Sequence, residues 1–144
     1  MTIIKMIELC GDWKPDEDKK IRSLYDLLNT THGKEKIIVF TQYSDTAMYV
    51  YTQLKHLGME KTYFVTGDSK NPTAIVDKFS PKSNGQDVAP AEQYRVLIAT
   101  DVLSEGQNLQ DSHVIVNYDM PWAIIRLIQR AGRVDRIGQE AKEI

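Results

Sequence analysis

Four short runs of β-branched and aromatic residues punctuate the chain: KIIVFT at 36–41, TYFVT at 62–66, RVLIAT at 95–100 and HVIVNY at 113–118. They are apolar on both faces, as strands covered by helices on both sides need to be. Between them apolar positions recur every three or four residues, the period of a helix with one buried face. Helices are therefore expected over Asp18 to Thr30, Ser44 to Leu57, Pro72 to Phe79 and Pro121 to Ile137. Strand and helix in alternation define an α/β fold with a mainly parallel sheet between two helical layers.

Local signals place several element ends. Ser44 is the expected cap of its helix, and Asn71-Pro72 reads as a cap followed by proline at the first helical position. Gly58 and Gly138 each follow a helical end, where a left-handed residue is least strained as glycine. Residues Ser80 to Glu92, with prolines and Asn84-Gly85, read as a surface loop. Residues 1–15 are expected to be a linker or partly ordered segment, and residues 16–144 one domain. The closing AKEI could start another strand, so the domain is expected to be truncated at its C-terminal end.

Composition narrows the chemistry. Lysine and arginine number 18 against 20 aspartates and glutamates, so no global basic field draws the chain to a polyanion, and any such contact must be local. Cys10 is the only cysteine, which excludes an internal disulfide. His32, His56 and His113 give no zinc-ligand spacing, so no metal site is expected. The longest apolar runs are far shorter than the roughly 20 residues of a bilayer span. No membrane partner is expected, and the absence of a signal-peptide pattern at the N-terminus points to a cytoplasmic protein.

The segment QRAGRVDRIGQ at 129–139 carries the strongest chemical signal. On a regular helix Arg126, Arg130, Arg133 and Arg136 share about a third of the circumference. Ile124, Leu127, Ile128, Ala131 and Val134 gather on the other side, and that apolar side is expected against the sheet with the arginines outward. An arginine stripe taken alone is usually a solvated face. The order QxxGRxxR followed by IGQ, however, resembles the sixth motif of helicase superfamily two, and the RIGQ ending resembles its Swi/Snf branch.

Three further segments carry the same resemblance in family order. LIATDVLSEGQNLQ at 97–110 resembles the fifth motif, its EGxN form looking most like RapA-type members. KIIVFTQYSD at 36–45 resembles the fourth, and FVTGDS at 64–69 a phosphate-contact segment beside it. The resemblance implies a RecA-like lobe, the second of two in a motor that uses ATP and Mg2+. Arg133 and Arg136 are then the arginines that reach the phosphates of ATP held mainly by the first lobe, with Gln129, Gly132, Gly106 and Asn108 on the nucleotide side. Thr41, Gln42, Gly67 and Thr100 are implied as contacts to a nucleic-acid backbone, DNA more than RNA. Arg126 and Arg130 receive no role from it, although Arg130 could serve packing or nucleic acid. Pro121-Trp122 departs from the family by continuing into Ala123-Ile124, and Trp122 reads first as packing.

No GxxxxGK[ST] loop and no acidic DExx box occurs, so nothing here cradles the β- and γ-phosphates or holds magnesium. Half an ATPase site is expected, on a fragment that is monomeric and inactive alone. Two other readings stay open: a non-catalytic α/β interaction module that has kept the fold, and the corresponding lobe of an RNA helicase.

Overall fold

The computed structural model describes residues 2–11, 14–101 and 107–135, and in it burial on both faces, which the apolar runs demand, is complete at 37–41 and 96–100 and only partial at 62–65 and 114–117. Strands β1 (Ile37–Thr41), β2 (Thr62–Val65), β3 (Val96–Thr100) and β4 (Val114–Asn117) form one parallel sheet in the order β2-β3-β1-β4. Each begins or ends within a residue of the sequence expectation. The helices are α1 (Ile3–Cys10), α2 (Lys19–Asp26), α3 (Ser44–His56), α4 (Pro72–Phe79) and α5 (Ile124–Ala131).

Alternation along β1 sends Ile37 and Val39 to one core and Ile38 and Phe40 to the other. The first core packs against Ile21, Leu24 and Leu28 and against Ala47, Val50 and Leu54 of α3. The second packs against Val76 and Phe79 of α4, with Leu109 and Val134. Helices thus cover both sheet faces, giving three layers. Each fully buried Ile, Leu or Phe contributes roughly 1.5–3 kcal/mol relative to exposure, so the two cores are what hold the lobe together. The described side chains of α1 are exposed, and this helix occupies much of the segment expected to be a linker.

Helix ends depart from expectation in two places. Tyr43, in extended backbone, holds the cap position of α3, while Ser44 is already helical and no side-chain cap bond forms. At α5 the backbone of Ala123 is still extended, so the helix starts at Ile124 and not Pro121. Elsewhere the signals hold. Asn71 accepts from the Ala74 amide at 3.1 Å, and Gly58 sits at φ 88°, a conformation strained for any residue with a Cβ. Asp18 caps α2 by accepting from the amides of Lys20 and Ile21 at 2.9 and 3.2 Å. The helix expected to run to Thr30 ends at Asp26 and continues as a wider π turn over Leu27–Thr31. Gly138 lies outside the described residues. Among those described, no helix is long and apolar enough to cross a membrane.

The register sets up the functional edge. Thr41 lies opposite Thr100, and Phe40 opposite Asn117, so the carboxyl ends of β1, β3 and β4 finish on one rim. In open parallel sheets, ligands bind beyond this rim.

Candidate functional site

The rim is organised by a buried guanidinium. Arg130 of α5 is 1% exposed. Its Nε and Nη2 donate to the two carboxylate oxygens of Asp101, just past β3, at 2.7 and 3.1 Å. Its Nη1 donates to Asn117 Oδ1 at 2.8 Å and to the Asp119 carbonyl at 3.4 Å. The guanidinium also lies 5.3 Å from the centre of the Phe40 ring. A charge taken out of water needs this much compensation, and the two-pronged carboxylate contact is the strongest form available.

This arrangement corrects the expected orientation of α5. Arg130 points at the sheet ends, while Ile124 and Ile128 are 73% and 61% exposed. Val134 is buried in the second core, and Leu127 and Ala131 are half-buried, so the expected apolar face is split. At about 100° per residue the helix is turned by roughly a quarter turn from the expectation. The reason lies at the rim: Asp101, Asn117 and the Asp119 carbonyl would be left without donors under an apolar face.

Asp119 extends the network to β1. Its carboxylate accepts from the Thr41 hydroxyl and from the Gln42 amide, the latter at 3.0 and 3.1 Å. Gln42 Nε2 donates to the Met120 carbonyl at 3.3 Å. Thr41 is therefore buried and engaged, whereas the buried hydroxyl of Thr100 beside it has no hydrogen-bond partner among the described residues. Tyr118 lies between Asn117 and Asp119 with the Lys20 ammonium 4.0 Å from its ring centre. Burial, reinforced by the carboxylate of Asp18, by Tyr49 and by Asp119, pushes the Tyr118 phenol up to about 12.

The residues expected on the nucleotide side are spread more widely. Gln129 and Gly132 are exposed and Arg133 is half-buried. Arg133 makes no side-chain hydrogen bond or ion pair among the described residues, but its amide donates to the Arg130 carbonyl at 3.3 Å. A Cβ on Gly132 would meet the Ile128 carbonyl at 3.3 Å, so glycine suits this tight exit from the helix. Asn108 lies elsewhere: its Nδ2 donates to the Ser83 carbonyl at 3.3 Å and its own carbonyl accepts from Asn84 at 2.8 Å, which ties the segment after β3 to the expected surface loop. Gly67 is exposed in a turn closed by Ser69, whose amide donates to the Thr66 carbonyl at 3.1 Å and whose hydroxyl accepts from the Thr66 amide at 3.0 Å. Gly106 and Arg136 lie outside the described residues. Among the described residues no cluster of three or more His, Cys, Asp or Glu side chains could hold a metal ion.

Sequence reasoning brought Thr41, Gln42 and Thr100 to one rim with Asp101 just past the strand end, and missed Arg130, Asn117 and Asp119 as its organisers. A signal existed: an aspartate directly after β3 and an arginine on the following helix, both at strand or helix ends, form a charge pair that a solvated stripe does not need.

A parallel three-layer sheet with this rim, and with glycine-arginine following an anchored arginine, defines a RecA-like lobe. The helicase conserved C-terminal domain model matches residues 19–138, and the chain belongs to that family. YqhH of Bacillus subtilis, named as an uncharacterized ATP-dependent helicase, is 34% identical over 97% of this chain and 26% of its own length. RapA of Stutzerimonas stutzeri, an RNA polymerase-associated protein, is 33% identical over 85% of this chain and 12% of its own. Proteins named as RNA helicases match as well, at 28 to 31% identity. The C-terminal part of the Fun30 ATPase domain superposes with a TM-score of 0.74 over all of this chain and 48% of that one, at 20% identity. The likeness to RapA agrees with the RapA-type resemblance, and the likeness to the Fun30 structure shows the same fold. The chain spans about a quarter or less of the curated relatives named here.

Proposed function

We propose that the parent protein is an ATP-dependent DNA translocase or helicase, and that this chain is its second motor lobe. The observation that carries the reading is Arg133, a guanidinium with no side-chain partner among the described residues, fastened through its backbone to the anchored Arg130. Free N–H donors on a braced main chain fit a phosphate presented from a facing surface. ATP bound mainly on the first lobe, with Mg2+, supplies the phosphoryl group whose transfer drives the motor. Arg133 and Arg136 would stabilise charge on the transferring oxygens, an effect worth about three to five orders of magnitude in rate for positioned arginines. Gln129 and Gly132 would frame the same approach, with Gly106 and Asn108 on the segment after β3. Thr41, Gln42, Gly67 and Thr100 would hold a nucleic-acid backbone without reading its sequence.

The test is ATP hydrolysis by the purified parent with duplex DNA, single-stranded DNA or RNA. Strongest stimulation by duplex DNA is expected, together with a fall of about a hundredfold or more in Arg133→Ala. The relatives named as RNA helicases favour a second reading, in which RNA stimulates most. Full turnover in Arg133→Ala would overturn both.

A further inference from the structure

We propose that Arg130 is a positioning residue that couples the nucleic-acid side of the lobe to its ATP side, by fixing the rotation of α5 and so the aim of Arg133. The inference rests on the function proposed above. It starts from a choice the fold has made: α5 carries Ile124, Ile125 and Ile128, all more than half exposed, yet buries an arginine. If only adhesion mattered, the isoleucines would serve at least as well, because a buried ion pair gains little over apolar packing. What the guanidinium offers instead is direction. A guanidinium has five N–H donors in a rigid plane. Here it meets four acceptor contacts, on Asp101 after β3, on Asn117 ending β4 and on Asp119 two residues further.

From that plane two paths leave. Toward the ATP side, the Arg130 carbonyl accepts from the Arg133 amide at 3.3 Å, and the Gly132 amide donates to Ile128 at 2.8 Å. Any rotation of Arg130 about the helix axis is therefore carried into Arg133 through the main chain. Toward the nucleic-acid side, the residue whose carbonyl binds Arg130, Asp119, holds the Thr41 hydroxyl and the Gln42 amide with its carboxylate. A phosphate that draws on Thr41 or Gln42 must disturb Asp119, and Asp119 is bound to Arg130. The network is continuous, made of charged or directional contacts, and crosses from β1 to α5 without passing through the apolar cores. Arg126, at 3.4 Å from Asp101 and half exposed, is a second cation on the same carboxylate.

The test uses the full-length parent, with Arg130→Gln, Arg130→Lys, Asp101→Asn, the Arg130→Gln/Asp101→Asn double variant, and Asn117→Ala as a mild change that leaves the ion pair in place. Hydrolysis is measured with and without saturating nucleic acid, well below each variant's melting temperature. The expected result is a fall of tenfold or more in nucleic-acid-stimulated kcat for Arg130→Gln and Asp101→Asn. KM for ATP should stay within threefold, and stimulated turnover should fall more than unstimulated turnover, so that the stimulation ratio drops. The double variant should be no worse than the worse single one, since both break the same link. Arg130→Lys, which keeps charge without the planar fork, should recover less than half of the ratio. Asn117→Ala should lower it measurably without loss of folding. A purely structural role predicts a different pattern: lower melting temperatures with the stimulation ratio unchanged in every folded variant, and that result overturns the proposal. Arg133→Ala in parallel separates the two levels. Loss of turnover there with intact ratios in the Arg130 and Asn117 variants removes the coupling alone, whereas full turnover in Arg133→Ala removes the function on which it rests.

Discussion

Arg130 and Arg133 lie three residues apart in one motif, and their environments require opposite signatures on truncation. Removing Arg130 strands Asp101 and Asn117 beneath the helix end. Breaking a buried ion pair costs about 3–5 kcal/mol when the remaining charge stays dry. Here the Asp101 side chain keeps 25% of its surface in water, and Arg126 stands 3.4 Å away, so about 2–3 kcal/mol is the better magnitude. At about 2–4 °C per kcal/mol for a domain of this size, Arg130→Ala should melt roughly 5–10 °C below the parent chain. Arg133 has no side-chain partner to strand among the described residues, and its truncation should stay within about 0.5 kcal/mol, or 2 °C. On the function proposed above, the order of severity on catalysis changes in the full-length protein: Arg133→Ala should keep ATP affinity within about tenfold while hydrolysis falls about a hundredfold or more, because its contact would belong to the transition state. Arg133→Lys should not recover it, since an ammonium lacks the fork that meets two oxygens. Circular dichroism melts of both variants and a phosphate-release assay make the comparison. An Arg133→Ala melt as low as that of Arg130→Ala, or near-normal turnover in Arg133→Ala, would refute the reasoning.

Four further outcomes follow from named contacts. Asp18→Ala removes the acceptor of two α2 amides and of the Tyr49 hydroxyl at 2.9 Å, and should lower stability by about 2 kcal/mol in denaturant titration, with Asp18→Asn retaining most of the cap. The Tyr118 phenol, raised to about 12 in the fold, stays protonated where the unfolded chain ionises above about 10. Stability from this group is therefore lost as pH rises from 10 to 12, and Tyr118→Phe should flatten the decline in that window, as read by melts beside phenolate absorbance. The 144-residue chain alone should show only background phosphate release, and its nucleic-acid binding should be weak, blind to sequence and steeply reduced between low and moderate salt. Asp119→Asn in the parent should tighten nucleic-acid binding severalfold in a fluorescence titration, and unchanged affinity would show that Thr41 and Gln42 do not face phosphate.

How much of this could be read in the sequence depended on which force decided each element. The central strands β1 and β3 were legible because their runs are apolar at every position, and only a sheet buried on both faces satisfies that pattern. Asn71-Pro72 and Gly58 were legible because cap and left-handed geometry are local chemistry. The rotation of α5 was not. Periodicity assigns the apolar side of a helix to the core, and that rule assumes that what lies beneath is apolar. Beneath α5 lie a carboxylate, an amide oxygen and a backbone carbonyl, contributed by residues between 11 and 29 positions upstream of Arg130, so the deciding interaction was tertiary. Asn108 escaped for a similar reason. Its amide is held by the backbone of the loop after α4, a contact that no spacing along the chain encodes.

Asp119 gives the rim its electrostatic sense. The Thr41 hydroxyl and the Gln42 amide converge on one point past the end of β1, and two convergent donors there make a site for an oxyanion. The chain fills that point with its own carboxylate. A nucleic-acid phosphate arriving there would meet donors already in use and a like charge beside it, so a direct contact requires the Asp119 side chain to turn away. Such a turn costs the carboxylate its hydrogen bonds, and the phosphate replaces them only if it makes contacts of equal quality. On the function proposed above, the exchange would discriminate between a backbone that is properly seated and one that merely passes near. It also ties seating to Arg130, because the carbonyl that binds Nη1 belongs to the residue that must move. A lobe of this composition has no general basic field with which to attract a polyanion. Selective exchange at one rim, backed by a buried guanidinium, can make a local grip depend on geometry where net charge cannot.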